Sequence, residues 1–376
     1  MFLIGAGEVI ASPMMAEMGE SFGVSSARVA WLPGTYALTY AALAPFLGPL
    51  SDRFGRKALL VPGLLGLGLA VIATAFAPSF ALACVASAFG GLCAGAVQPN
   101  ALAIINDAVE EARQPAVTGK VFLGLTSSFV IVPVLSGWLA ARFSWQFSYF
   151  AMAAACFAAA ALVLPVQVVR ARRSASPAIG AAFRAAFGIP LMRRRFAISF
   201  LWLGICIGLA ALLGEILRRR LGLPTQAVGT WTGAFGVSVL AGNLLMDRTR
   251  RLLGSHHRVL FWGSLGSIAG CLVVAVLPIA SVHLLLPAGF AWGFGYGMAG
   301  PAHHFMVARA GGDYRGTVVA LNASILNSGL MAVTLTAGRV LDATGVERLV
   351  AFMLLLQLAG VALVPRLSAR ADASTL

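Results

Sequence analysis

The strongest constraint on this chain is a series of long, almost uninterrupted apolar runs. A soluble domain carries about 25% charged residues, whereas this chain of 376 residues has 11% charged and 59% hydrophobic residues. A run of about twenty apolar residues is long enough to cross the hydrocarbon core of a bilayer as a helix. The chain is therefore predicted to be an all-α membrane protein, because runs this continuous lack the alternation of a β-barrel.

Polar breaks divide the apolar runs into about twelve predicted transmembrane helices. Their expected bounds are 1–16, 29–50, 58–77, 80–105, 116–139, 145–168, 196–217, 226–246, 258–279, 282–308, 315–337 and 347–365. The first run is shorter than a usual span, so we expect a first helix that is truncated at the given start. No secretory signal peptide is expected, because no Lys or Arg precedes Arg28.

The basic residues lie mostly between the apolar runs. With a cytoplasmic N-terminus, 20 of the 27 Lys and Arg residues fall on the cytoplasmic side and 7 on the other. The positive-inside rule then predicts a multi-pass protein of the inner (cell) membrane with both termini in the cytoplasm. This placement suits the lipid bilayer and argues against nucleic acid as a partner, despite the net charge of +14. The triplet Arg218–Arg220 breaks the rule, and we interpret it as part of a substrate-facing vestibule.

The organisation of the chain indicates a duplication. The longest polar stretch, 169–195, is rich in Arg and is predicted to be a cytoplasmic linker. Asp52-Arg53 recurs as Asp247-Arg248, and Gly95–Pro99 resembles Gly297–Pro301 at a near-constant separation. Such internal repeats are common in secondary transporters. The predicted units are an N-terminal six-helix bundle (1–168), the linker (169–195), a C-terminal six-helix bundle (196–365) and a cytoplasmic tail (366–376).

The loop after the second run reads G-P-L-S-D-R-F-G-R-K-A-L, from Gly48 to Leu59. It resembles the signature loop of the major facilitator superfamily, and the resemblance covers the whole chain. The resemblance implies two pseudo-symmetric six-helix bundles that rock around a central cavity. It also implies secondary transport without a cofactor, and it supports Asp107 as the partner of Arg56. We interpret the following residues as a cytoplasmic gate: Gly48, Asp52, Arg53, Gly55, Arg56, Lys57 and Asp107. The alternative is that these charges only follow the positive-inside rule.

Within this superfamily, the region Gly7–Pro13 resembles the twelve-span drug:proton antiporter group. Two features depart from that group. Ser87 occupies a position where the group often has Arg, and Val132–Gly137 keeps only part of the group's glycine-rich antiporter motif. The resemblance to this group implies proton-coupled efflux of small amphipathic compounds by alternating access, whereas the two departures permit a different coupling. Uptake or exchange of a small metabolite or an organic anion, with Arg219 suited to the anion, remains the alternative.

Glu8 is the carboxylate that the sequence places well inside an apolar run. A charged side chain at the centre of a bilayer costs about 2.5–3.5 kcal/mol on insertion scales, so such residues usually face a cavity. A carboxyl group there can take up and release a proton as its exposure alternates between the two sides. Glu8 is thus the candidate for proton coupling. The alternative is that a truncated first helix leaves Glu8 solvated near the interface.

Other polar and aromatic residues in the runs either line a cavity or join helices. These candidates are Tyr36, Gln98, Asn100, Asn243, Tyr296, His303, Asn322 and Asn327. Histidine as a residue type titrates near neutral pH, so a proton or substrate role is one interpretation of His303, and hydrogen-bonded packing is the alternative. No catalytic or metal-ligand pattern occurs, so we expect neither an enzyme nor a metal site, and a non-transporting receptor lacks support. We predict a monomer whose partners are a small-molecule substrate and protons or another coupling ion.

Overall fold

The computed structural model describes residues 1–110, 113–166, 184, 187–279, 282–311 and 315–364. Most of the predicted linker and all of the predicted tail lie outside these ranges. Some side chains within the ranges are also outside the description, among them those of Gly48, Asp52, Arg53 and Asp107. Residues 1–166 are called the N-terminal half below, and residues 187–364 the C-terminal half.

The described part of the chain is helical. The helices of the N-terminal half are α1 (Phe2–Val9), a 3₁₀ turn (Ser12–Met14), α2 (Met15–Phe22), α3 (Ser26–Val29), α4 (Trp31–Phe54), α5 (Arg56–Ala75), α6 (Phe80–Ala108), α7 (Gln114–Arg142) and α8 (Trp145–Val163). Those of the C-terminal half are α9 (Pro190–Ile198), a π-helical turn (Ser199–Gly204), α10 (Ile205–Ala211), α11 (Leu213–Leu221), α12 (Thr225–Leu253), α13 (His256–Ala275), α14 (Val282–Ala310), α15 (Arg315–Thr344) and α16 (Val346–Val361).

Local sequence sets several helix ends. The hydroxyl groups of Ser79 and Ser255 accept hydrogen bonds from the first turns of α6 and α13, which is the usual role of an N-cap serine. Gly222 and Gly254 end α11 and α12 with φ of +64° and +82°, a backbone conformation that suits glycine. Gly55, with φ of +100°, makes the sharp turn between α4 and α5 within the signature loop.

Eight helical stretches of the described residues are long and apolar enough to cross a membrane. They are Arg56–Ala75, Phe80–Ile105, Lys120–Arg142, Trp145–Val163, Pro190–Ala211, Thr225–Leu253, His256–Ala275 and Thr317–Thr344. Large apolar side chains such as Phe76 and Leu162 point outward, being 72% and 74% exposed, as expected for a lipid-facing surface. The all-helical prediction is confirmed, whereas the count of twelve spans and the pseudo-symmetry remain predictions.

Two helical segments extend beyond their predicted ends. The first was expected to stop at residue 16, but α2 continues to Phe22; the seventh was expected to stop at residue 217, but α11 continues to Leu221. The added turns carry Glu17 and the Arg218–Arg220 triplet, whose charges ended the apolar runs in the sequence. Each of these charges has a partner in the fold: Glu17 lies 3.5 Å from Arg218, Arg219 binds Glu215 and Asp342, and Arg220 binds carbonyl groups at the end of α13. A hydropathy pattern does not reveal such contacts, because it depends only on residues that are neighbours in the sequence.

The two halves meet along two long helix pairs, α4 with α15 and α7 with α12, and also where the 3₁₀ turn contacts α11. We call the end of the bundle that holds Gly55 the proximal end. The opposite end, which holds the loops after α2, α7, α11 and α15, is the distal end. The contacts between the halves described below lie in the distal part of the bundle.

Candidate functional site

Glu8 lies on α1 where the two halves of the chain face each other. Its side chain is partly exposed, while its neighbours Gly5, Ala6 and Val9 are buried. Tyr36 and Tyr40 of α4 and Tyr296 of α14 lie within electrostatic range of the carboxylate. Because Tyr296 belongs to the C-terminal half, Glu8 lies close to residues of both halves of the chain. The surroundings of this carboxylate would therefore change if the two halves moved relative to each other.

The tyrosines around Glu8 are held by hydrogen bonds and close packing. The Tyr36 hydroxyl group donates to the carbonyl oxygen of Ile4 at 3.4 Å, and its ring lies against Gly7. The Tyr40 hydroxyl group donates to Oε1 of Gln98 at 2.7 Å. The structure therefore brings together four of the predicted residues, Glu8, Tyr36, Gln98 and Tyr296, and adds Tyr40. We call these five residues the central site.

The rest of the central region is mostly closed by packing. Trp202 is fully buried, and its ring centroid lies 6.4 Å from that of Tyr296. Tyr36 also lines a cavity of about 30 Å³ shared with Thr74, Ser87 and Tyr149. A space of this size accommodates one or two water molecules but no organic substrate.

For three further predicted cavity residues, the structure shows no contact with the central site among the described hydrogen bonds. Asn100 is fully buried and donates to the carbonyl oxygen of Ala96 in its own helix at 2.6 Å. Asn327, 5% exposed, likewise donates to Ala323 in its own helix at 3.0 Å. Asn243 is partly exposed on α12. In this conformation Asn100 and Asn327 do not line an accessible cavity, because each side chain folds back on its own backbone.

His303 and Asn322 belong to a buried polar network within the C-terminal half. The Ser199 hydroxyl group donates to Oδ1 of Asn322 at 2.5 Å and lies 2.7 Å from Nε2 of His303. With its proton donated to Asn322, the Ser199 oxygen accepts a hydrogen bond from Nε2 of His303. Asn322 Nδ2 lies 3.1 Å from Nδ1 of His304 and extends the network. This geometry favours the packing alternative for His303.

The buried network around Ser199 predicts how a substitution there affects the stability of the protein. Ser199→Ala removes the oxygen that joins His303 to Asn322 and leaves buried polar atoms without partners. We expect the purified protein to lose about 1–3 kcal/mol of stability, seen as a lower apparent melting temperature in detergent. The control is Ser328→Ala, because Ser328 donates to Ser324 in its own helix. Equal melting temperatures for the two variants would contradict the network's structural role.

At the proximal end, the described signature-loop side chains bind nearby groups. Arg56 Nη1 donates to the Ser51 hydroxyl group at 2.6 Å. Lys57 Nζ donates to the carbonyl oxygens of Leu164 and Val166, the latter at 3.0 Å, beyond the end of α8. The predicted contact between Arg56 and Asp107 lies outside the described side chains. It stays a prediction.

From the distal end to the middle of the bundle, the halves are packed backbone to backbone. A Cβ atom on Gly236 of α12 would overlap the carbonyl oxygen of Phe129 in α7, and one on Gly229 would lie 2.5 Å from that of Pro133. A Cβ atom on Gly214 of α11 would overlap the carbonyl oxygen of Ser12. The distal end is therefore closed in this conformation.

Charged residues that sequence reasoning missed complete the distal contact. Glu215 is 1% exposed and accepts a hydrogen bond from the Ser26 hydroxyl group of the N-terminal half at 2.6 Å. Glu17 lies 3.5 Å from Arg218 Nη2 across the halves. The available sequence signal was the spacing of Glu215 four residues before Arg219, which favours an ion pair on a helix.

Comparisons with known proteins agree with this architecture. A family model described as the Major Facilitator Superfamily matches residues 1–334. The uncharacterized MFS-type transporter YceJ of Bacillus subtilis (strain 168) is 28% identical over 92% of this chain and 88% of its own length. Multidrug resistance protein 1 of the same organism is 23% identical, covering 90% of this chain and 86% of its own length.

A solved structure has the same fold. The crystal structure of a D-xylose-proton symporter superimposes with a TM-score of 0.82, covering 100% of this chain and 97% of the symporter chain. Its sequence identity of 14% shows the fold alone. The family model, in contrast, matches most of the chain. The chain belongs to the major facilitator superfamily and is a multi-pass membrane transporter rather than an enzyme.

Proposed function

We propose that this transporter exports small amphipathic compounds in exchange for protons, by alternating access. The observation that carries the proposal is the place of Glu8 between the halves, with Tyr36 and Tyr40 on one side and Tyr296 on the other. Aromatic faces bind amphipathic molecules, and a carboxylate among them attracts a cationic group. A proton and a substrate would then compete for the same carboxylate.

The closed distal end fits one state of an alternating-access cycle. With the orientation that the positive-inside rule predicts, the distal end faces the outside of the cell and the proximal end faces the cytoplasm. Opening the distal contacts while the proximal gate closes would expose Glu8 to the outside. A proton bound there would be released on the cytoplasmic side, in the opposite direction to the substrate.

The wider architecture belongs to the same proposal. It comprises twelve spans in two pseudo-symmetric six-helix bundles, a monomeric state, an inner-membrane location and cytoplasmic termini. Relatives named as multidrug resistance proteins support efflux over uptake, although their identity to this chain is low. Protons are the proposed coupling ion.

The alternative of organic-anion transport is weakened by the partners of Arg219. Its guanidinium group pairs with Glu215 and with Asp342, so its charge is already balanced. An anionic substrate would have to displace both carboxylates. Arg219 also lies at the distal end, away from the central site.

The test uses membrane vesicles that contain the transporter. A thermal-shift screen of the purified protein first selects compounds that raise its apparent melting temperature. Everted vesicles with an acidic interior are then expected to accumulate these compounds, and a protonophore should abolish the accumulation. Vesicles without the transporter are the control.

The direction of transport separates the hypotheses. Accumulation of a labelled metabolite in right-side-out vesicles, with none in everted vesicles, would replace efflux by uptake. Accumulation that is insensitive to a protonophore would exclude protons as the coupling ion.

A further inference from the structure

The three consecutive arginines at the end of α11 have different partners. Neighbouring residues of a helix point about 100° apart, so Arg218, Arg219 and Arg220 leave the helix in three directions. From the sequence, the triplet is interpreted as part of a vestibule and Arg219 as suited to an anion, with no separate role for Arg218 or Arg220. In the structure, Arg220 binds within its own half, Arg219 orients a carboxylate, and Arg218 contacts the other half directly.

Arg220 stays within the C-terminal half. Its Nη1 atom donates to the carbonyl oxygen of Val274 at 2.9 Å, and Nη2 donates to that of Leu277. These carbonyl groups lie at the end of α13, which finishes at Ala275. A guanidinium group at a helix C-terminus satisfies carbonyl groups that lack helical partners. Arg220 is therefore a helix cap.

Arg219 reaches the N-terminal half only through another residue. Its Nε atom binds Oε1 of Glu215, and its Nη2 atom binds Asp342 on α15. All three residues belong to the C-terminal half. The same Glu215 oxygen accepts the hydrogen bond of Ser26 across the halves. Arg219 thus holds a buried carboxylate in the position that Ser26 requires.

Arg218 crosses between the halves directly. Its Nη2 atom donates to the carbonyl oxygen of Pro13 at 3.0 Å and lies 3.5 Å from Oε1 of Glu17. The same Nη2 atom lies 2.9 Å from the Thr225 hydroxyl group, which itself donates to Glu17. One cation therefore joins the start of α12 to the interrupted helix of the N-terminal half.

The exposure of this pair suits a reversible contact. The side chains of Arg218 and Glu17 are 24% and 32% exposed, so water reaches both partners. A partly exposed ion pair contributes modestly and weakens with salt, in contrast to a fully buried pair. Opening the distal end would return both groups to water instead of leaving a charge buried.

We propose that Arg218 is the latch residue of the distal end. It binds Glu17 and Pro13 in the closed state and releases them when the halves separate, whereas Arg219 positions Glu215 and Arg220 caps α13. The assignment rests on the proposed alternating access, because it requires a state in which the distal end is open.

The experiment measures the opening of the distal end without substrate or proton gradient. Thr334 of α15 is fully buried against Gly34 of α4 and becomes the reporter as Thr334→Cys. The five native cysteines are replaced, and the purified protein is labelled with a maleimide. Labelling in denaturant gives the maximal rate. Arg218→Gln is expected to raise the labelling rate about two- to fivefold, the factor that a partly exposed ion pair supports.

A double-mutant cycle identifies the partner. Glu17→Gln and Arg218→Gln combined should raise the labelling rate by less than the product of their separate factors, because both remove the ion pair between these two side chains. Arg219→Gln combined with Glu17→Gln should be additive. High salt should accelerate labelling of the parent reporter protein and leave Arg218→Gln unchanged. Arg220→Gln should lower the melting temperature and leave the labelling rate unchanged at a temperature where it is folded.

Two results would overturn the assignment in different ways. Additive effects of Glu17→Gln and Arg218→Gln, or a parental rate for Arg218→Gln, would reject the latch and leave the transport function standing. A reporter that reacts in denaturant but in no folded variant would mean that the distal end never opens. That result would reject the latch together with alternating access.

Discussion

Gly236→Ala is expected to reduce transport strongly by preventing closure of the distal end. The added methyl group would overlap the carbonyl oxygen of Phe129, which is backbone and cannot rotate away. Overpacking of this kind costs about 1–3 kcal/mol. The penalty applies only while α7 and α12 are in contact, so it shifts the equilibrium towards the open state by roughly 5- to 150-fold. The measurements are accumulation in vesicles and labelling of Thr334→Cys.

Gly266→Ala on α13 is the matched control. A Cβ atom at Gly266 meets no heavy atom within 4 Å, and the change in helix propensity is the same. This variant should transport and label as the parent protein does. If Gly236→Ala transports normally, the glycine contact between α7 and α12 has no role in closure. If it fails to transport but labels slowly, the variant is blocked in the closed state and the argument is wrong.

Glu8→Gln is expected to abolish proton-driven accumulation. Glutamine keeps the size and hydrogen bonding of a protonated carboxyl group but cannot release a proton. The variant should still exchange labelled for unlabelled substrate across the membrane, since exchange needs no net proton movement. Substrate binding to the parent protein should weaken as pH falls, because protonation removes the charge that attracts a cation. Binding to Glu8→Gln should be weaker and independent of pH.

Glu20→Gln provides the comparison for this variant. Glu20 is exposed on α2, at the distal side of the same interrupted helix. The Glu20→Gln variant should accumulate substrate as the parent protein does. Proton-driven accumulation by Glu8→Gln at the parental rate would remove Glu8 from the mechanism. Loss of both accumulation and exchange would indicate a binding role in place of proton coupling.

The helical class could be predicted from the sequence because only helices and closed barrels satisfy backbone hydrogen bonds inside a bilayer, and these apolar runs lack the alternation of a barrel. Glu8 was found for the same reason, since a carboxylate stands out within an apolar run. The partners of Glu8 were less predictable. Tyr36 and Tyr296 are far apart in the chain, and only the packing of α1 against both halves brings them together.

The distal contacts show where apolar patterning fails. Glu17 and Arg218 look like the polar ends of two helices, yet each continues its helix and binds the other. A residue pair separated by more than half of the chain cannot be recognised from one sequence. Similarly, Asn100 and Asn322 are equivalent as polar residues in apolar runs. Asn100 bonds to its own helix, whereas Asn322 joins a network between three helical segments.

The π-helical turn Ser199–Gly204 has a geometric consequence for these distant contacts. A π turn contains a surplus residue relative to α geometry, and such turns often occur at functional positions. Its conversion to α-helix would advance the register of everything that follows it by one residue. Each side chain from Ile205 to Leu221 would then rotate by about 100° and slide by about 1.5 Å. Conversion of the π turn, which lies beside Tyr296, would thereby turn Glu215 away from Ser26. It would also turn Arg218 away from Glu17.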